Sequence, residues 1–194
     1  MPPSFRPREL TDPRAMRALS HPTRLALLEA LALHGRPLTA TEAADEVGES
    51  PSSCSFHLRQ LAKYGFVEEA DGATGRRRPW RLTRIGLSFS VEPASDDETA
   101  IAAAGLERVL RDRHLARAAA ALDTRAALPR EWQSLTGLSQ FMLHVTPEEL
   151  REVQEELLAL LLRYHDRLVD PAKRPDGSHP VEVLTLAYPV QGVT

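Results

Sequence analysis

The run Ser50-Pro51-Ser52-Ser53-Cys54-Ser55-Phe56-His57-Leu58-Arg59-Gln60-Leu61 holds the densest set of chemically useful side chains in this sequence. Short hydroxyls, an Arg and a Gln at the start of one helix are groups that suit a polyanion. Serines donate to phosphates, a helix N-terminus favours an anion, and Arg and Gln read base edges. At about 100° per residue, Cys54, Leu58, Leu61 and Gly65 share one inward stripe. Ser52, Phe56, Arg59 and Lys63 point the opposite way, with Ser55 and Gln60 on the flanks. His57 lies nearer the core edge, placed either to support the helix or to touch a phosphate. A solvated helix start rich in serine has the same composition, so this segment alone leaves both readings open.

A second pattern bears on the choice. Gly75-Arg76-Arg77-Arg78 sets three adjacent cations directly after a glycine turn. An unpartnered run of like charge is ordinarily a solvated face. At the returning limb of a hairpin it sits where a phosphate backbone passes, and neutralising phosphates releases counterions.

Other chemistries are poorly supplied. The single cysteine excludes an intramolecular disulfide framework and a four-cysteine zinc ribbon. Cys54 lies on the inward stripe, which suits a small core residue better than a thiol sensor. The seven histidines show no close metal-ligand pairing. No glycine-rich phosphate loop, His-Glu-x-x-His or nucleophile elbow is present, so neither an enzyme nor a cofactor is expected. No stretch approaches the roughly 18 apolar residues that span a bilayer. The first residues carry no apolar run behind their charges, which argues against a secretory signal, and a cytoplasmic setting is expected.

The elements that must position these side chains are short and well punctuated. Residues 1–11 read as an arm without regular structure. Asp12-Pro13 opens a short helix through Met16 and Leu19, and Pro22 opens a second through Leu25, Leu28 and Leu31 to Gly35. Thr39 begins a third over residues 40–47, closed by Gly48, and Ser50-Pro51 caps a fourth running to Gly65. Phe66–Glu69 and Pro79–Thr83 then alternate as two strands around a turn at residues 71–75. Three or four short helices followed by a hairpin outline a winged helix-turn-helix over residues 12–91.

Charge divides along the same line. The chain holds 24 Lys+Arg and 27 Asp+Glu, a net −3; residues 1–90 carry 13 and 10 of these, and residues 91–194 carry 11 and 17. The winged-helix half is therefore +3 and the rest −6, as two different jobs in one chain would produce.

Ala18-Leu19-Ser20-His21-Pro22-Thr23-Arg24-Leu25, the run 50–61, Gly65-Phe66-Val67 and Arg78-Pro79-Trp80-Arg81-Leu82-Thr83 together resemble the arsenic-repressor (ArsR/SmtB-like) family of bacterial transcriptional regulators. The resemblance covers about residues 12–85. It implies a homodimer that binds double-stranded DNA with the fourth helix, residues 51–64, in the major groove and the wing, residues 70–79, on the backbone. Ser52, Ser53, Ser55, Phe56 and Arg59 would face DNA, and Arg76, Arg77 and Arg78 would reach flanking phosphates; His57, Gln60 and Lys63 complete the candidate surface. The sequence departs from metal-sensing members. Thr41-Glu42-Ala43-Ala44-Asp45 stands where their paired cysteines lie. Asp112-Arg113-His114 matches half of another site, but its answering positions, Arg125 and Leu128, cannot bind zinc.

Residues 92–194 read as a helical and α+β unit for dimerisation or sensing. Ser95-Asp96-Asp97-Glu98 is a capping box for a long alanine-rich helix to about Leu122. Residues 137–145 and 181–187 read as strands, and Thr146-Pro147-Glu148-Glu149 caps a helix whose stripe Leu150–Leu168 is core or a dimer seam. Trp132, Phe141, His144, Tyr164 and His165 are candidates to line a small-molecule effector pocket, against simple packing. The fold expected is mainly α with small β, and the function a dimeric DNA-binding repressor. A ligand-gated regulator and a winged-helix protein-interaction module stand as alternatives.

Overall fold

The computed structural model describes residues 8–70, 78–83, 89–90 and 96–190. Local sequence signals set most of its helix ends. Asp12 accepts the backbone N–H of Arg14 at 2.8 Å and starts α1 (Pro13–Leu19). His21 does the same for α2 (Pro22–His34), its Nδ1 accepting from the Thr23 N–H at 3.2 Å, and Gly35 ends α2 with φ +64°. A left-handed stop of this kind favours glycine. Thr39 and Glu42 form a reciprocal capping box on α3 (Ala40–Val47). Hydrogen bonds from the Thr39 backbone and hydroxyl, then from Arg36, hold the Glu42 carboxyl down to about 2. Ser50 caps α4 (Pro51–Lys63) through the Ser53 N–H at 3.1 Å, with Pro51 at the first helical position.

Strands β2 (Val67–Glu69) and β3 (Trp80–Leu82) pair antiparallel, Val67 opposite Leu82 and Glu69 opposite Trp80. Leu38 exchanges backbone hydrogen bonds with Trp80 at 2.9 and 2.7 Å, tying the α2–α3 connection to the hairpin. Met16, Leu19, Leu27, Leu28, Leu58, Leu61 and Val67 are fully buried where the four helices and the hairpin meet. Each large apolar side chain buried there contributes about 1.5–3 kcal/mol, and together these positions fix how α4 lies against α2 and α3.

The end of the N-terminal arm, from residue 8, carries structure that was not expected; residues 1–7 lie outside the described residues. Arg8–Glu9 forms β1, paired in parallel with β4 (Phe89–Ser90), and Leu10 is buried in the core. The first core also passes the boundary expected near residue 92. Helix α5 (Asp97–Asp123) buries Ala102, Ala103 and Leu106 in the same cluster as Met16 and Leu19, and Arg17 meets Glu98 at 2.7 Å. Its cap is Asp96, one residue beyond the expected Ser95, and accepts the Thr99 N–H at 2.8 Å.

Beyond α5 the chain is helical and open. A 3-10 turn (Arg125–Ala127) leads to α6 (Arg130–Gln133), α7 (Pro147–Leu162) and α8 (His165–Val169), then to a second 3-10 turn (Pro171–Lys173). The Thr146–Glu149 capping box on α7 forms as expected. The expected strands at 137–145 and 181–187 do not; both stretches carry no regular structure, so this half is helical rather than α+β. A strand needs a ladder partner, and neither stretch has one among the described residues. The Leu150–Leu168 stripe is not core within one chain, since Val153, Leu160, Leu161 and Leu168 are exposed. No described residue after Leu106 is buried. Polar contacts among the described residues tie this half to the first. Arg174 donates to the last carbonyls of α2, Leu33 at 3.5 Å and His34 at 3.4 Å. Glu29 of α2 takes Arg113 at 2.9 and 2.6 Å and Arg117 at 2.9 Å.

Candidate nucleic-acid interface

Helix α4 is seated by Cys54, Leu58 and Leu61, all fully buried on one stripe. Burial, and then the nearby Glu49 carboxylate, push the Cys54 thiol up, which leaves it an inert core group. Opposite this stripe Ser52, Phe56, Arg59 and Lys63 are exposed, with Ser53, Ser55 and Gln60 half-buried beside them. The Arg59 guanidinium donates to Ser55 Oγ at 3.1 Å, which draws it back along the helix towards its N-terminal turn. Ser52 Oγ lies 3.0 Å from the capping Ser50 Oγ. Phe56 is 50% exposed, a large apolar ring standing among hydroxyls and cations. The Lys63 ammonium lies 5.7 Å from the centre of the neighbouring Tyr64 ring. No acidic residue occurs from Ser50 to Val67.

His57 does not share that surface. It is only 9% exposed, its ring lies 4.5 Å from His21 and 5.3 Å from Phe56, and its Nδ1 has no hydrogen-bond partner among the described residues. Burial, then the His21 and Arg24 charges, lower its pKa, while Glu49 opposes them. Its place among the groove-facing candidates is therefore corrected to that of a brace between α4 and the start of α2. Thr23 adds to the brace, its Oγ1 donating to Glu49 in the α3–α4 connection at 3.2 Å. The 100° projection placed His57 only at the margin; nothing local pointed to its ring partner 36 residues earlier.

The described arginines of the hairpin are paired with carboxylates. Arg78 donates to Glu69 at 2.6 Å and Arg81 to Glu68 at 2.8 Å, pairs created by the β2–β3 register. Arg76 and Arg77 lie outside the described residues.

The remaining candidates are scattered. Trp132 meets His179, with ring centroids 5.2 Å apart, and Phe141, His144 and Tyr164 are exposed. Within Asp112-Arg113-His114, Arg113 is spent on Glu29 and His114 Nδ1 lies 2.9 Å from Glu182. No group of three or more His, Cys, Asp or Glu side chains able to hold a metal occurs among the described residues. No described helix is long and apolar enough to cross a membrane.

Comparison with known proteins bears on the same region. Residues 19–70 match the helix-turn-helix domain family. No curated protein matches the chain. Solved structures similar to it include a homodimeric winged helix-turn-helix DNA-binding domain from Mycobacterium bovis, described as a possible ArsR-family regulator. That likeness has 26% identity, covers 53% of this chain and 79% of that one, and gives a TM-score of 0.33. Mycobacterium tuberculosis Rv0081 is similar at 27% identity over 51% of this chain and 88% of that one, TM-score 0.31. The Mycobacterium tuberculosis MarR-family protein Rv2887, solved with salicylic acid, is similar at 21% identity over 77% and 87%, TM-score 0.29. The match falls on α2–α4 and the first strand of the hairpin, the same elements that carry the exposed serine and arginine face. Residues 19–70 of this chain therefore carry a helix-turn-helix domain, the part of the fold that presents α4.

Proposed function

We propose that the protein is a sequence-specific DNA-binding transcriptional regulator that acts as a homodimer, with α4 in the major groove and the hairpin on the flanking backbone. The observation that carries this reading is the outer face of α4. Ser52, Ser55, Arg59 and Lys63 stand on a helix whose own stretch, Ser50 to Val67, has no carboxylate to repel phosphate. Arg59 is the base reader in this arrangement, its reach set by Ser55, and Ser52, Ser53 and Lys63 hold phosphates. Gln60 supplies a second amide at the groove edge, and Phe56 offers apolar contact to a thymine methyl. Arg76, Arg77 and Arg78 add sequence-independent affinity.

The DNA-binding unit extends through Leu106, because α5 completes its core. Residues 107–190 supply the dimer contacts, since no described residue among them is fully buried within one chain. A bound dimer acts as a repressor by occluding its site, and a small-molecule effector acting through the C-terminal half would relieve it.

Titration of the full chain against its own upstream DNA, by fluorescence anisotropy at fixed salt, tests the reading. Arg59→Ala is expected to cost about 1–3 kcal/mol and to relax base preference at one position. Lys63→Ala is expected to weaken all sequences alike and to lower the salt slope by about one. Equal affinity for specific and random DNA in wild type and both variants would leave the winged helix as a protein-interaction module.

A further inference from the structure

Among the described residues up to Thr83, two large apolar side chains are exposed, Leu33 and Phe56, each at 50%. Leu33 closes α2 beside the C-terminal half, where its carbonyl accepts from Arg174 at 3.5 Å. Phe56 stands instead in the middle of α4, on the face that carries Ser52, Arg59 and Lys63. The stretch from Ser50 to Val67 has no carboxylate, so a polyanion can come close to that face. A benzyl ring gives phosphate nothing, having neither charge nor hydrogen-bond donor. In the major groove it can tell one feature from the rest, the apolar methyl at C5 of a pyrimidine.

The ring is also held. His57 meets it edge-on, with centroids 5.3 Å apart and planes at 74°, and His57 in turn lies 4.5 Å from His21 at the start of α2. His57 is only 9% exposed, so the ring has a fixed backing. A side chain restrained beforehand loses less entropy on binding. Arg59 is restrained too, its guanidinium donating to Ser55 Oγ at 3.1 Å. Positions three apart are neighbours on a helix surface, with Cβ atoms about 5–6 Å apart. Base pairs follow one another at about 3.4 Å along a strand. Two groups fixed at that spacing reach adjoining base pairs, Arg59 taking the O6 and N7 of a guanine and Phe56 the methyl beside it.

We infer that Phe56 makes the site selective for a C5-methylated pyrimidine next to the guanine read by Arg59. Thymine supplies that methyl in ordinary DNA, and 5-methylcytosine carries the same group at the same place in the groove. The ring has no donor or acceptor with which to separate thymine O4 from cytosine N4, so the methyl alone decides. Binding is therefore strengthened by cytosine methylation at this one position. This rests on the DNA-binding reading proposed above and adds the chemical group that α4 selects.

Duplexes selected from a randomised pool by the full chain supply the probe. In the selected site each thymine is exchanged singly for deoxyuridine, which removes the methyl and keeps every hydrogen-bonding group. Affinity is read by fluorescence anisotropy at fixed salt. At one thymine beside a required guanine, the exchange is expected to weaken wild type about fourfold, as for one buried methyl-sized group. At the same place 5-methylcytosine is expected to bind about fourfold more tightly than cytosine. Phe56→Ala and Phe56→Gln, both good residues for an exposed helix position, are expected to abolish both differences. A selected site at which every deoxyuridine exchange is neutral overturns the methyl selectivity and leaves DNA binding standing. A methyl effect that persists in both variants belongs to another side chain and overturns the role of Phe56. A pool that yields no preferred sequence overturns both readings.

Discussion

The imidazole rings of His21 and His57 lie 4.5 Å apart, so the start of α2 and the middle of α4 touch through two titratable groups. Burial is the first cause lowering both pKa values, with Arg24 pushing the same way and Glu49 opposing. A histidine whose folded pKa lies below its unfolded value of about 6.5 stabilises the fold fully above that pH, and the stability is lost as pH falls through the folded value. Protonation of His21 at Nδ1 would also remove the acceptor that caps α2 and set a cation at the positive end of the helix. The thermal midpoint is therefore expected to hold steady above about pH 7 and to fall below about pH 6.5. His57→Leu should flatten that fall, as followed by circular dichroism across the pH series. Parallel pH profiles for wild type and variant would remove the pair from the account.

In the proposed complex Glu69 would compete with DNA for Arg78. Their 2.6 Å contact is solvent-exposed and adds little stability of its own. Replacing Glu69 with Gln should leave the unfolding midpoint within about 0.5 kcal/mol of wild type. The same change should raise affinity for all DNA sequences and steepen the salt dependence by about one unit. An unchanged salt slope would place Arg78 away from the backbone.

Helix α5 belongs to the first core through Leu106, which is fully buried beside α1. Leu106→Ala should cost about 2–5 kcal/mol in urea unfolding, the range for a large core side chain. A fragment ending at residue 92 should be correspondingly weaker than one ending at residue 112. If the two fragments unfolded at the same urea concentration, α5 would be a separate element resting on the domain.

Gly35 and Gly48 both end helices with positive φ, +64° and +69°, but their surroundings differ. A Cβ on Gly35 would lie 2.5 Å from the Leu168 carbonyl oxygen and 2.7 Å from Arg174 Nη2, whereas nothing lies within 4 Å at Gly48. Alanine at Gly48 should cost about 1 kcal/mol, the left-handed penalty alone. Alanine at Gly35 should cost more and should also displace the α8 segment, visible as faster amide exchange at Val169 and Asp170. Equal costs at the two sites would show that α8 does not rest on α2.

What was legible in the sequence was local. The Thr39–Glu42 and Thr146–Glu149 capping boxes, Pro22 and Pro51 at first helical positions, and Gly35 and Gly48 as stops all place helix ends from neighbours three or four residues away. The inward stripe of α4 followed the same rule, so Cys54, Leu58 and Leu61 were placed and Ser52, Arg59 and Lys63 fell opposite. Groups that meet across the chain were not legible. Arg78 finds Glu69 only through the hairpin register, and Arg113 finds Glu29 across 84 residues. The same distance effect hid β1, whose two residues pair with a segment about 80 positions later. The strand readings at 137–145 and 181–187 did not hold, because a ladder depends on what lies alongside, which periodicity does not contain.

The tie between Arg174 and the end of α2 spans 141 residues, and it sets an order of events in time. Ribosomes add roughly 5–20 residues per second, so Arg174 leaves about 7–28 seconds after Leu33. Helices and hairpins form in microseconds, so α2 ends at Gly35 and the first core closes long before that guanidinium arrives. A nascent chain therefore has a period in which its winged helix is assembled and its C-terminal half is still being made. During that interval the α2 carbonyls face water, and any contact with nucleic acid would be made by a winged helix still without its C-terminal half.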